Sequence, residues 1–488
     1  MKNRKNRLEL IFLIIFIFNL FLMPSFAVCI IKSSSTKSDE LQHKWTQVWS
    51  GYKFAKMGRM VVDSSQNIFI AGETYIEESG DHDIFLVKLN ESISELGTWI
   101  IGQNTTWGGN EAEMFTDMVL DSKDNIYIAG STFSNGSKFS YLLKFNNEGI
   151  LEWEQIWEGV EGFASCYGMT IDSSDNIYIT GLIYGYDIFL VKYNKDGNQL
   201  WNRTWGKSGD DCVYSIITDS SNNVYLGGST DFDDLLLKFS SSGDLLSNTT
   251  WKSLSFYDAL VSDSLNNVYT IGKRCNEYNQ NYCNITLVKF DTNGTRLWNV
   301  SCIETDILGG TLSLIIDDLN NLYLTGSEML DQYEFDMFIM KFDSSGNLKW
   351  NRSLIGPNDE VSSSIIFDSS ENLYIGGSDR GSKSDIFIVK YNNTGAQQWY
   401  FKWGEPIKAF SRSLQCVDLY TDFSGNYFVA GHNFSSGTTD YKMFLAKFTE
   451  TPEKKGGLPA ISGYSFLILI VIIVNSIIGL TYLINKKK

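Results

Sequence analysis

Short apolar segments alternate with polar turns along most of the chain, and the same order of apolar and polar positions occurs eight times. Each copy contains an Asp, an Asn four residues later, a Phe or Tyr six residues later and a Gly nine residues later. Successive Asp residues are 44 to 58 positions apart, which is the length of a four-stranded propeller blade. The eight residues are Asp63, Asp121, Asp172, Asp219, Asp263, Asp317, Asp368 and Asp422.

Each copy divides into four predicted strands, which we name A to D in chain order. Strand A ends just before the Asp, as at 314–316, and strand B begins at the Asn, as at 67–71. Strand C ends in a Lys in all eight copies, and a Trp begins strand D in five of them. Strands B and C are apolar on both faces, which indicates a sheet that is covered on both sides. A propeller blade packed between two neighbours has this property.

The two ends of the repeat region complement each other. The eighth copy has no strand D after Lys447, whereas the region begins with an unpaired strand D at 44–49 that matches 152–157. We therefore predict that the N-terminal strand completes the last blade and closes the ring. The predicted fold is all-β: a single eight-bladed β-propeller of four-stranded antiparallel blades over 43–450, followed by one C-terminal transmembrane helix.

The segments that flank the repeats have the patterns of targeting and membrane sequences. Residues 1–27 combine basic residues, an apolar run and a Ser-Phe-Ala end, which predicts a signal peptide cleaved after Ala27, with an uncleaved anchor as the alternative. Residues 463–484 are almost wholly apolar and would span roughly 33 Å as a helix, enough to cross a bilayer. The Lys-rich end at 485–488 is then predicted to be cytoplasmic. Linkers are predicted at 28–42 and 451–462. The expected protein is a single-pass protein of the cell membrane with an extracellular propeller.

The repeats resemble the SBBP family of exported bacterial and archaeal β-propeller repeats. Units of that family carry an Asp-x-x-Gly-Asn-aromatic turn, a Gly that ends strand B and an apolar strand that ends in Lys. The resemblance covers all of 43–450, although the Gly before the Asn is present only as Gly425 and there are eight copies where seven are expected. The resemblance implies a propeller fold and an exported location, and it implies no common activity.

The net charge of −17 argues against nucleic acid as a partner, because a phosphate-binding surface needs clustered Lys and Arg. The same charge suits a solvated extracellular surface that meets divalent cations or cationic partners. No nucleophile elbow, phosphate loop or dinucleotide motif is present. Of the three histidines, His82 and His432 fall in loops of blades one and eight, where a two-His site is left open. No cofactor is indicated, and Ca²⁺ binding is left open.

The D–A loops carry most of the acidic residues that do not repeat. Because D–A and B–C loops share one face of a propeller, this face is predicted to bind the ligand. The predicted ligand-binding residues are Asp210, Asp211, Asp258, Asp306, Asp359 and Glu360. Further loop acids are Glu111, Glu113 and Glu161, with Trp107, Phe163, Tyr167, Tyr214, Phe256 and Tyr257 nearby in sequence. Paired carboxylates suit acid–base catalysis or Ca²⁺, and a solvated loop surface is the alternative.

The repeated polar residues have structural interpretations. The Asp and Asn of each copy offer oxygens to a cation, but a motif that is used in every copy favours a turn-stabilising role. The Lys that ends strand C follows an Asp by five residues in five copies, which suggests recurrent ion pairs or Lys side chains that snorkel at the blade end. Those Asp residues are Asp83, Asp187, Asp233, Asp336 and Asp385.

Cysteines and glycosylation sequons fit an oxidising exterior. Cys275 and Cys283 bracket a long B–C loop and are predicted to form a disulfide. Cys166 and Cys212 occupy near-equivalent places in adjacent blades, as a second bridge or as packed thiols. The sequence Trp-Asn-x-Ser/Thr recurs in strand D, the outer edge of a blade, and glycans there would block edge-to-edge pairing. The predicted glycosylation sites are Asn202, Asn299 and Asn351.

Three functions are compatible with this sequence. The first is a non-catalytic surface module whose loop face binds a glycan, a peptide or a protein. The second is a carboxylate-dependent hydrolase or lyase acting on extracellular polysaccharide, which requires two or three carboxylates to converge in one pocket. The third is a structural cell-envelope protein or adhesin. The regular scaffold, the variable acidic loops and the lack of a catalytic motif favour the first.

Overall fold

The computed structural model describes the propeller strands and most of the loops that join them. The described residues are 41–49, 54–76, 81–91, 99–108, 111–207, 209–231, 233–252, 255–275, 283–305, 308–331, 334–354, 358–380, 384–404, 413–422, 424–434 and 442–450. Every regular element within these ranges is a β-strand, and the strands form eight four-stranded antiparallel sheets. Each sheet is one blade.

The first four blades follow the predicted A to D order. Blade 1 consists of β2 (Phe54–Val62), β3 (Ile68–Ile76), β4 (Asp81–Glu91) and β5 (Trp99–Trp107). Blade 2 consists of β6 (Glu113–Leu120), β7 (Ile126–Ser134), β8 (Ser137–Phe145) and β9 (Leu151–Trp157). Blade 3 consists of β10 (Ala164–Ile171), β11 (Ile177–Ile183), β12 (Ile188–Tyr193) and β13 (Gln199–Trp205). Blade 4 consists of β14 (Asp211–Thr218), β15 (Val224–Thr230), β16 (Asp233–Phe239) and β17 (Leu245–Lys252).

The last four blades have the same order, and the outer strand of the eighth is the N-terminal strand of the repeat region. Blade 5 consists of β18 (Ser255–Ser262), β19 (Val268–Cys275), β20 (Cys283–Phe290) and β21 (Arg296–Thr305). Blade 6 consists of β22 (Leu308–Ile316), β23 (Leu322–Asp331), β24 (Glu334–Phe342) and β25 (Leu348–Leu354). Blade 7 consists of β26 (Glu360–Phe367), β27 (Leu373–Arg380), β28 (Ser384–Tyr391) and β29 (Gln397–Trp403). Blade 8 consists of β30 (Ser413–Thr421), β31 (Asn426–Phe434), β32 (Met443–Glu450) and β1 (Leu41–Trp49).

The N-terminal strand closes the ring, which confirms the sequence prediction. β1 pairs antiparallel with β32, and Trp45 lies opposite Lys447. The same register places Trp153 opposite Lys144 in blade 2. Blade 8 meets blade 1 through an apolar core to which β2, β3, β4, β31 and β32 all contribute. The last and first blades therefore pack together like any other neighbours.

The repeated Asp stabilises the turn between strands A and B. In blade 3, Asp172 accepts hydrogen bonds from the backbone N–H groups of Ser174 and Asn176, each at 2.9 Å. Its second oxygen accepts bonds from Asn176 Nδ2 at 2.9 Å and from the Tyr178 hydroxyl at 3.0 Å. Burial acts to raise the pKa of Asp172, but these hydrogen bonds lower it overall. Both oxygens are occupied within the turn, which supports the structural interpretation over a cation site.

In blades 3, 5 and 6 the Lys that ends strand C pairs with the Asp of this turn. Lys192 Nζ lies 3.3 Å from Asp172 Oδ2 and 4.8 Å from the centre of the Tyr178 ring. The suggested ion pair with Asp187 is wrong, because an odd spacing of five along a strand places two side chains on opposite faces. In blade 7, Asp385 pairs instead with Lys402, whereas Lys390 pairs with Glu450.

The innermost strand of every blade carries a β-bulge at the same place. In blade 4 the bulge lies between Val213 and Ser215, and it brings the carbonyl oxygen of Cys212 against Gly228. A Cβ atom on Gly228 would lie 2.0 Å from that oxygen, which is too close for any side chain. The bulge therefore explains the Gly nine residues after the Asp in the six blades where this carbonyl oxygen lies within 2.4 Å of the Cβ position.

The predicted fold class is wrong in its helical part. The propeller is confirmed, but the described residues contain no helix, and so none among them is long and apolar enough to cross a membrane. The fold is therefore corrected to an all-β eight-bladed propeller. The segment 463–484 lies outside the described residues, as do the predicted signal peptide at 1–27 and the linker at 451–462.

The cysteines are only partly described. Cys166 and Cys212 are free thiols, so the suggestion of a bridge between them is wrong. Burial raises the pKa of Cys166 to about 12, as expected for a packed, unreactive thiol. Cys275 and Cys283 lie directly opposite each other in the backbone register of β19 and β20. Their side chains are not described, and their disulfide stays a prediction.

Candidate binding site on the loop face

Three of the loop acids occupy one equivalent position at the start of the innermost strand. Glu113, Asp211 and Glu360 begin this strand in blades 2, 4 and 7, and each is buried. Glu113 accepts a hydrogen bond from the Thr132 hydroxyl at 2.8 Å, and Asp211 accepts one from the backbone N–H of Lys207 at 2.9 Å. Burial raises the pKa of Asp211. Asp211 and Glu360, both predicted to bind ligand, thus lie inside their blades.

The other predicted ligand-binding residues lie in separate blades. Asp210 is exposed, and Asp359 accepts a hydrogen bond at 3.0 Å from the backbone N–H of Phe335 in the preceding blade. Asp258 lies in β18, where the structure describes its backbone only. Asp306 lies outside the described residues. The described members of the predicted set are thus divided between blades 4 and 7 and do not share one pocket.

A denser cluster of charges lies in blade 7, around Lys402. Its Nζ atom lies 2.7 Å from Asp379 Oδ2 and 3.3 Å from Asp385 Oδ2. Asp379 is directly opposite Glu360 in the register of β26 and β27. Burial acts to lower the pKa of Lys402, but the two carboxylates raise it overall. A lysine held in its charged form between two carboxylates makes a structural ion-pair cluster rather than a pair of catalytic acids.

A different pocket opens on the loop face of blade 2. Its volume is about 530 Å³, within the range of ligand sites. Three carboxylates line it, its apolar wall comes from two Phe residues and one Ile, and the ammonium of Lys138 lies 5.3 Å from the centre of the Phe133 ring. The acids are Glu111, Glu113 and Glu158, and the apolar residues are Phe133, Phe139 and Ile156.

The hairpin between β7 and β8 shapes this pocket. Asn135 and Gly136 form a two-residue turn in which both residues have positive φ, 52° and 80°. Such a turn matches the twist of the strands that it joins. The backbone N–H of Asn135 donates a hydrogen bond of 2.9 Å to Glu111 Oε1, which fixes that carboxylate at the mouth of the pocket. Glu158, which also lines the pocket, is exposed and follows the last strand of blade 2.

Three exposed tyrosines lie in the next blade, two of them in its B–C turn. Tyr167, Tyr184 and Tyr186 are 49%, 68% and 58% exposed. Tyr184 and Tyr186 flank Gly185 in the B–C turn, and Tyr186 itself has a φ of 63°. A positive φ is unusual for a bulky residue, and such strain is typical of functional positions. We name these three tyrosines and the blade 2 pocket the blade 2–3 surface.

The central channel contains one further break in the repeat. At the position four residues before the repeated Asp, five blades have Gly, Ala or Ser, whereas blades 8, 1 and 2 have Asp418, Arg59 and Asp117. Arg59 Nε lies 3.6 Å from Asp117 Oδ1, and Asp418 accepts a hydrogen bond from the backbone N–H of Met60 at 3.2 Å. Burial raises the pKa of Asp117 and of Asp418. These three adjacent charges join the blades on either side of the ring closure.

The sequence placed Tyr167 near the ligand face but gave no reason to select Tyr184 and Tyr186. A signal for them was present, because Tyr-Gly-Tyr occupies a turn where exposed aromatic residues are rare. The three charged residues of the channel could also have been found from the sequence, because they occupy a position at which most copies of the repeat have a small residue. The buried positions of Asp211 and Glu360 could not be read from a loop's composition.

The chain is a β-propeller by the topology of its sheets, and no family model matches it. It is 20% identical to an uncharacterized WD repeat-containing protein, L264, of Acanthamoeba polyphaga mimivirus. The match covers 68% of this chain and 30% of that protein, so the chain spans less than a third of the length of its relative.

Solved structures with a similar chain course share little sequence with it. A protein from Lactobacillus plantarum is 14% identical with a TM-score of 0.47, over 68% of this chain and 95% of that one. A catalytically inactive virginiamycin B lyase from Staphylococcus aureus is 12% identical with a TM-score of 0.41, over 69% and 95%. An ulvan lyase of polysaccharide lyase family PL25 is 11% identical with a TM-score of 0.44, over 67% and 90%.

Proposed function

We propose that the protein is a non-catalytic binding module that holds a cationic segment of a polypeptide partner on the blade 2–3 surface. The observation that carries this proposal is a carboxylate-lined pocket in blade 2 together with three exposed tyrosines in the neighbouring blade 3. Elsewhere among the described residues, the exposed large apolar side chains, such as Leu265 and Leu319, lie mainly at turns and outer strands that repeat around the ring. The tyrosines and the pocket lie in blades 2 and 3, the two blades whose B–C turns are fully described.

The chemistry of this surface suits Arg and Lys side chains. Carboxylates form charge-assisted hydrogen bonds with guanidinium and ammonium groups, and the faces of Tyr rings attract the same cations. Exposed tyrosines also supply contact area at a small cost in side-chain entropy. The net charge of −17 would raise the rate at which a basic partner arrives.

An exported location is part of this proposal. It is supported by the basic and apolar pattern of residues 1–27 and by the resemblance of the repeats to exported SBBP propellers. A polysaccharide hydrolase or lyase finds less support. The described acids that were predicted for it lie in different blades, and the cluster in blade 7 is neutralised in part by Lys402.

Fluorescence anisotropy with labelled octapeptides tests the proposal. We expect a peptide of alternating Arg and Gly to bind, and a peptide with Glu in place of Arg not to bind. Tyr184→Ser combined with Tyr186→Asn should weaken binding about tenfold, or ~1.4 kcal/mol. Asn tolerates the positive φ of position 186, so this variant should fold normally. Glu158→Gln should weaken binding about threefold, as for an exposed ion pair.

Asp196→Asn is the matched control for the loss of one exposed carboxylate. Asp196 lies in the C–D turn of blade 3, on the face opposite to the loop face. If Asp196→Asn weakens binding as much as Glu158→Gln does, the peptide is attracted only by the overall negative charge. That result, or equal affinity of the double tyrosine variant and the parent, would contradict the proposal.

A further inference from the structure

In several blades, the Asn of a sequon occupies the same register position on the outermost strand. This position lies opposite the residue that precedes the strand C Lys. Five blades have an Asn there, opposite Val87, Val191, Leu237, Val288 and Met340. The five residues are Asn104, Asn202, Asn248, Asn299 and Asn351. Each is followed two residues later by Thr or Ser, which completes an Asn-x-Ser/Thr sequon.

The pleat of the strand turns these asparagines toward solvent. Side chains alternate along a strand, so Asn202 and Thr204 share one side and Trp201 and Arg203 share the other. Trp201 and Arg203 bond to backbone carbonyl groups of the C–D turn in blade 4, whereas Asn202 and Thr204 are exposed.

The same exposure is found wherever this side chain is described. Asn248, Asn299 and Asn351 are all exposed, and the side chain of Asn104 is not described. Among the described strands, none pairs with the free edge of an outer strand. A transferase can therefore reach the sequon in its extended form.

Sequons in turns have a different environment. Asn392 Oδ1 accepts hydrogen bonds from the backbone N–H groups of Thr394 and Ala396, at 3.1 and 2.9 Å, and from the Thr394 hydroxyl at 2.7 Å. These bonds hold the amide of Asn392 and the hydroxyl of its own sequon inside the C–D turn. Modification there would compete with the turn.

We propose that Asn104, Asn202, Asn248, Asn299 and Asn351 are N-glycosylated and that their glycans cover the rim of blades 1, 3, 4, 5 and 6. The amide nitrogen forms a bond to the anomeric carbon of a lipid-diphosphate-linked oligosaccharide. The bond from that carbon to the diphosphate oxygen breaks, the lipid diphosphate leaves, and the amide proton passes to a base of the transferase. The inference requires export of the chain and does not depend on the binding function proposed above.

The equivalent position in the other three blades cannot carry such a glycan. Blades 2, 7 and 8 have Glu154, Tyr400 and Thr46 there. Bulky, hydrophilic glycans on the other blades would keep their free strand edges from pairing with a second chain. The rim is thus divided into a continuous glycan-covered arc over blades 3 to 6, a covered blade 1, and uncovered outer strands at blades 2, 7 and 8.

Glycopeptide mass spectrometry on the full chain from its native source tests this inference. After enzymatic release of glycans in isotopically labelled water, we expect the label on all five edge asparagines and less of it on Asn392. In the same host, Thr204→Ser should keep the glycan on Asn202, whereas Thr204→Ala should remove it. The alanine variant leaves the strand pairing intact, so its effect would not reflect misfolding.

Two results would overturn the inference. One is unmodified peptides for the edge asparagines in material from the native source. The other is higher occupancy at Asn392 than at the edge positions, which would show that strand geometry does not select the sites. Neither result would affect the peptide-binding measurements on the blade 2–3 surface.

Discussion

At the scale of single residues, the fold depends on an Asp carboxylate that accepts hydrogen bonds within the A–B turn of every blade. Asp172 receives two backbone N–H groups, a side-chain amide and a tyrosine hydroxyl, and it also pairs with Lys192. A buried charge of this kind is stable because every lone pair has a donor. Removing it leaves a buried ammonium group and several donors without their acceptor.

We expect Asp172→Ala to lower the free energy of unfolding by about 3 kcal/mol, as for other buried charges that lose a partner. Asp196→Ala, in the same blade, should change it by less than about 0.5 kcal/mol because Asp196 is exposed. Urea unfolding followed by tryptophan fluorescence measures both. Similar stability of the two variants would contradict the structural role of the turn.

Residue types alone could predict this turn but not all of its partners. The Asp-to-Asn spacing is a local signal, and local turn chemistry is readable from sequence. The partner of Lys192 was predicted wrongly because spacing along the chain was given more weight than the alternation of a strand. The exposure of Tyr184 and the burial of Asp211 depend on neighbouring strands, which a single repeat does not show.

At the scale of the strand, the bulge in the innermost strand explains the most regular glycine of the repeat. The bulge moves a carbonyl oxygen toward strand B, and six blades place that oxygen within 2.4 Å of where a Cβ would be on this glycine. The sequence showed the glycine eight times, but the bulge itself has no residue signature. The reason for the repeated glycine became visible only through the pairing of strands A and B.

Blade 4 offers a matched pair of adjacent glycines for testing this explanation. Gly228→Ala should lower the free energy of unfolding by about 2 to 3 kcal/mol, since its Cβ would meet the carbonyl oxygen of Cys212 at 2.0 Å. Gly227→Ala should have a smaller effect, because its Cβ would meet only the flexible side chain of Leu260 at 3.2 Å. Chemical denaturation of both variants compares them. Equal losses would mean that the bulge does not determine the glycine.

At the scale of the whole molecule, eight similar sheets form the scaffold. The surface features that distinguish one blade from another come from a few residues that depart from the repeat. The sequence could predict the number of blades and the closing strand, because both are visible as copies and as a missing copy. It could not predict which of the loop acids are buried, since loops of similar composition differ in burial. The departures that matter are the blade 2–3 surface, the three channel charges and the uneven distribution of edge sequons.

The central claim is that β1 completes blade 8, and amide hydrogen exchange of β32 tests it most directly. In the full chain, we expect amides of Met443–Glu450 to be protected as strongly as those of Ile188–Tyr193, the equivalent strand of blade 3. In a chain that lacks residues 1–49, protection of β32 should fall while that of β12 persists. Rapid exchange of β32 in the full chain, or unchanged protection after the deletion, would contradict the closed ring.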